Sequence, residues 1–186
     1  MWIALIVIVV VLAIIGLYLT SQYNGLVGLR NKIEAAYAQI DVQLTRRRDL
    51  IPNLVETVKG YASHESETLE AVIAARNAAM GSTGVAATAQ AENAITGALK
   101  SLFAVAEAYP DLKANTNFQE LQAELSSTED RIAYARQYYN DNVRAYNTKI
   151  EVFPTVLIAN AFHFEAREYF EADETGRENV QVEFDT

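Results

Sequence analysis

Residues 2–19 read Trp2-Ile-Ala-Leu-Ile-Val-Ile-Val-Val-Val-Leu-Ala-Ile-Ile-Gly-Leu-Tyr-Leu19, with no charged position. As a helix the run measures about 27 Å, enough to cross a hydrocarbon core of about 30 Å with little tilt. Trp2 and Tyr18 stand near its two ends, where amphipathic rings favour the headgroup zone. Immediately downstream, Ile33, Tyr37, Ile40, Leu44, Ile51, Leu54, Val58 and Tyr61 keep the four-and-three phase of a helix that packs on other helices. The stretch predicts one transmembrane helix that continues as an amphipathic helix to about Met80. The rest of the chain is organised around it.

A cleaved signal peptide is the rival reading of this N-terminus. It wants a basic start, a shorter apolar run and a small-residue cleavage site. No Lys or Arg precedes the run, and Gly16-Leu-Tyr-Leu-Thr-Ser-Gln22 has no A-x-A pattern, so a retained anchor is expected. Arg30 and Lys32 are the cations that flank the span, which predicts a cytoplasmic body.

Composition narrows the chemistry. Residues 1–60 carry six Lys/Arg against four Asp/Glu, and residues 61–186 carry nine against twenty. An acidic body argues against nucleic acid, which needs a basic face. The absence of cysteine removes disulfides, thiolate catalysis and zinc-thiolate sites.

Three prolines punctuate the chain, at 52, 110 and 154. The seam phase survives across Pro52, so a kinked but unbroken helix is expected there. Gly81-Ser-Thr-Gly84 reads as a turn. A second helix is expected over Val85 to Ala108, stopped by Pro110. Thr116 with Gln119 has capping-box spacing, with Asn117 and Glu120 as an alternative, ahead of a third helix. Its face is Phe118, Leu121, Leu125, Thr128, Ile132, Ala135, Tyr139, Asn142 and Tyr146. Pro154 suits the first turn of a short fourth helix, Thr155 to about Phe170, with more of a core than a membrane-binding character because its flanks are acidic. Val180–Phe184 alternates and is expected to dock as an extended strip. The fold class is all-α: an anchor over residues 1–20, an antiparallel bundle over 21–153, and a short helix with an acidic tail over 154–186.

The strings Ala38-QIDVQLTRRRDLIPNLVETVKGYASHE-Ser66 and Ala104-VAEAYPDLKANTNFQELQAELSSTEDRIAYARQYYNDNVRAYNTKIEVFP-Thr155 resemble the LemA family. The resemblance covers nearly the whole chain and implies a membrane helix followed by an antiparallel bundle. It implies a single-pass protein of the bacterial inner membrane, of undefined molecular function. It also points to a membrane-bound metalloprotease as a partner, and one branch of the family is associated with magnetosome membranes. Tyr37 stands where the family is expected to carry Trp. The resemblance brings no catalytic or binding residues with it.

The residues themselves offer little chemistry. A di-iron bundle needs Glu-x-x-His pairs, but His64 and His163 follow Tyr61 and Asn160 at that spacing. His64 with Glu67 reads as solvated surface, and His163 between two phenylalanines as packing. No phosphate loop, nucleophile elbow or H-E-x-x-H motif is present. No enzyme activity, metal or cofactor is therefore expected. Arg46-Arg47-Arg48 could meet lipid headgroups, yet on a straight helix it lies about 40 Å beyond Leu19, several Debye lengths of about 8 Å. Pairing with Asp41, Asp49 or acids of neighbouring helices is the plainer expectation, and Arg47 on the seam must be paired if buried. Tyr134, Tyr138, Tyr139 and Tyr146 read as bundle core with satisfied hydroxyls, against a partner surface.

The second helix is too short to cover the lower seam. Either the fourth helix and the tail cover it or other subunits do; on the second reading Ile33, Tyr37, Ile40 and Leu44, with Arg47, are the candidate self-association residues. A self-associating, membrane-anchored scaffold is the expected function, and a monomeric adaptor of a membrane metalloprotease is the alternative. The bilayer and further copies of the chain are the expected partners.

Overall fold

A computed structural model describes residues 1–170 of the chain. They form six helices: α1 (Trp2–Lys59), α2 (Ser66–Gly81), α3 (Val85–Ala106), α4 (Pro110–Lys113), α5 (Thr116–Glu151) and α6 (Thr155–Ala161). There is no strand among the described residues, so the fold is all-α as expected. The strip expected at Val180–Phe184 lies outside the described residues.

Helix α1 runs unbroken through Pro52, an exposed position, and the Arg48 carbonyl that Pro52 cannot serve accepts from Arg76 Nε at 2.8 Å instead. It ends at Lys59, not near Met80. Gly60, Ser63 and His64 favour a turn over a helix, and Tyr61 and Ala62 close it by donating to the Val58 carbonyl at 3.0 and 2.8 Å. Leu69 and Val72 resume an apolar stripe, but they do so on a separate helix. The turn after α2 is where the glycines place it, and Gly84 sits at φ +87°, a conformation that side chains rarely adopt. Helix α5 is capped by Asn115, whose Oδ1 accepts from the Phe118 N–H at 3.0 Å. Thr116 and Asn117 are already helical.

Two compact units emerge, each with parts of α1 and α5. The first comprises Met1–Ile40 and Ala135–Glu168; the second comprises Asp41–Tyr134, joined by Tyr169 and Phe170 of the described chain.

In the first unit, α1 buries Leu26, Ile33, Ala36 and Ile40, and α5 buries Ala135, Tyr139, Val143, Tyr146 and Ile150. Val143 takes the place that the spacing predicts for Asn142, whose amide instead donates to the Tyr138 carbonyl. Helix α6 buries Thr155, Ile158 and Ala159 and stops at Ala161, well short of Phe170. Pro154 is its cap residue, with a cis Phe153–Pro154 peptide, rather than a first-turn residue. His163, at φ +54°, turns the chain out of the helix. The following segment runs without helix and is tied down by α5. Asn147 donates to the Arg167 carbonyl and accepts from its N–H, both at 2.9 Å, and Tyr139 Oη donates to the Glu168 carbonyl at 3.0 Å.

The second unit has the aliphatic core. Ile51, Leu54 and Val58 of α1 meet Leu69 and Val72 of α2, Ile95, Leu99 and Leu102 of α3, Leu112 of α4, and Phe118 and Leu125 of α5. Each full burial of such a side chain contributes about 1.5–3 kcal/mol. Phe103 and Phe118 meet edge-on with ring centres 6.2 Å apart.

Candidate functional site

The first 19 residues are long and apolar enough to cross a membrane, and none of that segment is buried by the protein itself. A bare run of Ile, Val and Leu in water would forfeit its whole transfer free energy, so by length and composition it is a candidate membrane span.

The five residues expected to form a self-association surface are placed differently from that expectation. Ile33, Ile40, Leu44 and Arg47 are all buried within the single chain, and Tyr37 is half-buried. In the first unit, the Tyr37 ring meets Tyr139 of α5 with centres 5.9 Å apart. The premise that this stripe lacks a cover in its own chain is thus corrected. Helix α3 is indeed short, but the 36-residue α5 supplies what α3 cannot. Ile33, Tyr37 and Ile40 lie in the first unit, and Leu44 and Arg47 in the second.

Arg47 is the centre of a buried ion network inside the second unit. Its guanidinium is fully buried and pairs with the equally buried Glu92 carboxylate of α3. It also donates to both carboxylate oxygens of Glu129 on α5, at 2.8 and 2.7 Å, and to the Glu92 carbonyl at 2.9 Å. Thr96 Oγ1 lies 3.0 Å from Arg47 Nη1 and 3.0 Å from Glu129 Oε1. One planar fork thus fixes α1 against α3 and α5, a use that suits Arg better than Lys.

The neighbouring arginines are also used within this unit. Arg48 donates to the Ala79 carbonyl at the end of α2 at 3.2 Å and stands 3.7 Å from Glu92. Its Asp41 contact, at 3.4 Å, is half in water. Arg46 pairs with Glu124 on the surface. Pairing with acids of neighbouring helices is therefore what the charge run does; Asp49 is not among its partners in these ion pairs.

The tyrosines divide. Tyr139 and Tyr146 are core, and burial pushes both hydroxyls above the usual tyrosine pKa. Tyr134 and Tyr138 point to solvent. Tyr109 donates to Glu65 Oε1 at 3.0 Å, and that hydrogen bond to a carboxylate raises its pKa. His64 and His163 are both exposed. No group of three His, Asp or Glu among the described residues is placed to hold a metal ion.

Comparison with known proteins bears on the whole body. The model of the LemA family matches residues 36–184. Protein LemA of Metamycoplasma hominis is 29% identical, with the match covering 87% of this chain and 74% of that protein. Magnetosome protein MamQ 2 of Paramagnetospirillum magneticum is 28% identical, over 85% of this chain and 68% of its own length. MamQ of Magnetospirillum gryphiswaldense is 27% identical over the same shares.

Proposed function

Because the chain belongs to the LemA family, and because α1 carries a bare apolar span ahead of a helical body, we propose that it is a non-enzymatic, membrane-anchored helical scaffold that holds partner proteins at the bilayer. The observation that carries this reading is how the body uses its polar groups. Its most conspicuous charges, Arg47, Glu92 and Glu129, pair with one another across helices, and nothing in that network is arranged around a reacting atom. Such a body offers rigid surface. The relatives that bear the name of magnetosome proteins support a role at membranes.

Two forms of the scaffold differ in assembly. A self-associated form through Ile33, Ile40 and Leu44 would require side chains that the chain itself buries. The monomeric adaptor, with a membrane metalloprotease or another membrane protein as its client, is favoured by that burial. For orientation, Arg30 and Lys32 beyond the span support a cytoplasmic body in the inner membrane. Protease added to intact spheroplasts should leave the body whole, and digestion from outside would reverse the orientation. Crosslinking in membranes at the exposed Tyr134 should trap another protein if the scaffold reading holds. Capture of nothing beyond lipid at surface positions around the body would overturn it.

A further inference from the structure

Within the first unit, the exposed apolar side chains beyond the anchor gather in one place. Val152, Phe153, Leu157 and Phe162, at the corner between α5 and α6, are 46, 79, 61 and 61% exposed. The opposite face of α6 is inside: Ile158 is 5% exposed and Ala159 is 1% exposed. A seven-residue helix with apolar groups on both faces has two apolar neighbours. One is the protein.

The height of the corner identifies the other. Thr155 Oγ1 stands 3.5 Å from the Gln22 side chain. Gln22 is three residues past the end of the apolar span, about 4.5 Å along the helix. The Phe162 ring meets Tyr23 with centres 4.9 Å apart, and Phe164 meets Tyr23 at 5.6 Å. An apolar groove of about 460 Å³ runs between Leu19 and Tyr23 of α1 and Leu157, Ile158, Ala161 and Phe162. Leu19 thus both ends the membrane span and lines the groove. The headgroup zone is about 5–8 Å thick on each side of the hydrocarbon core, so α6 lies at the acyl–headgroup boundary.

We propose that the α5–α6 corner is a second membrane contact: Phe153, Leu157 and Phe162 enter the leaflet next to the anchor, and the groove between α1 and α6 holds phospholipid acyl chain. Continuity with the span carries this assignment. The occupant is lipid hydrocarbon because the groove opens where the anchor leaves the hydrocarbon core. Lys149, whose ammonium lies over Gly25 about 9 Å past Leu19, stands at the outer, aqueous edge of the headgroup zone. The exposed Glu151, Glu165 and Glu168 repel anionic headgroups, so the contact is apolar and forms on neutral phosphatidylcholine. The acidic flanks, which the sequence sets against membrane binding, govern headgroup preference and not insertion.

The inference rests on the anchor, and one tryptophan separates the two. Trp2 is the single native tryptophan. In full-length protein reconstituted into phosphatidylcholine vesicles, lipids brominated along the acyl chain should quench Trp2; its failure to respond would remove the anchor itself. Trp2→Phe combined with Leu157→Trp, and separately with Phe153→Trp, places the reporter at the corner on exposed positions that the fold does not depend on. Both should emit to the blue of a Trp2→Phe, Tyr134→Trp control. Both should also lose emission to lipids brominated near the top of the chain and resist aqueous iodide. If Trp2 is quenched by lipid while the corner reporters emit like the Tyr134 control and yield to iodide, the corner is in water and the proposal fails. Blue-shifted corner emission that no brominated lipid reduces would also overturn it, in favour of a protein cover.

Discussion

The two units use the same pair of helices, α1 and α5, in opposite ways. In the unit that holds the anchor, α1 and α5 bury aliphatic side chains beside the Tyr37–Tyr139 ring pair, Asn147 ties α5 to the segment at Arg167, and further apolar groups face outward at the α5–α6 corner. In the second unit the apolar residues are inside, and the Arg47–Glu92 ion pair is buried with them. The difference follows from the solvent. Where lipid takes the place of water, outward apolar groups cost nothing. Where water surrounds the body, Ile, Leu and Val must turn inward. A buried ion pair adds little net stability and fixes which helix faces meet.

The contrast breaks most sharply at Arg47. Arg47→Met leaves the buried Glu92 carboxylate without its partner, and the expected cost is about 3–5 kcal/mol. Arg47→Met with Glu92→Leu, which removes both buried charges, should recover most of that loss. Urea unfolding of the detergent-solubilised protein reads both. A single variant as stable as wild type would mean that the pair is not buried as described.

In the anchor-bearing unit, neutral hydrogen bonds tie the segment after α6 onto α5, so their loss should be milder. Asn147→Ala removes both hydrogen bonds to Arg167, and Tyr139→Phe removes the one to Glu168. Each lost bond is worth about 0.5–1.5 kcal/mol. Hydrogen exchange should rise at Arg167, whose N–H bonds Asn147, before it rises in α3. Simultaneous loosening of α3 would contradict the separation into two units.

The same unit should also be the one that fails in alkali. Burial raises the Tyr139 and Tyr146 pKa values above their unfolded value of about 10. Below pH 10 both folded and unfolded chains keep these hydroxyls protonated, and their contribution to stability is fully present. Above it the unfolded chain ionises first, so stability falls as pH rises through the folded values. Ultraviolet titration of phenolate absorbance should show a late, unfolding-linked step that Tyr139→Phe diminishes.

The smallest effect belongs to Pro52. It is exposed inside a continuous helix, so Pro52→Ala should be neutral or mildly stabilising. A large loss would show that its ring is needed for packing.

Much of this was legible in residue spacing. A period of three and four along α1 and α5 places Ile51, Leu54, Ile132 and Tyr139 inside because a helix can bury only one stripe. The need for Arg47 to be paired followed from its seam position alone. Boundaries were less legible. Leu69 and Val72 keep phase with α1, which hid the break that Gly60 makes. The apolar richness of residues 155–170 concealed a chain that leaves the helix at His163. The burial of the lower stripe within its own chain was not legible because α3, the fourth helix and the tail were weighed as its cover and the longer α5 was not. The α6 groove depends on which residues α5 carries back to the level of Leu19, and a tertiary height of that kind leaves no local pattern.

The most direct test is the mass of the full-length protein in nanodiscs, measured beside the thermal unfolding of Ile40→Asp. Ile40 is fully buried within its own chain. The account predicts one copy per disc for the wild type, and an Ile40→Asp variant that loses helicity at a much lower temperature. A multimeric wild type that Ile40→Asp converts to a monomer of unchanged helicity and unfolding temperature would contradict it, and would place the stripe between copies.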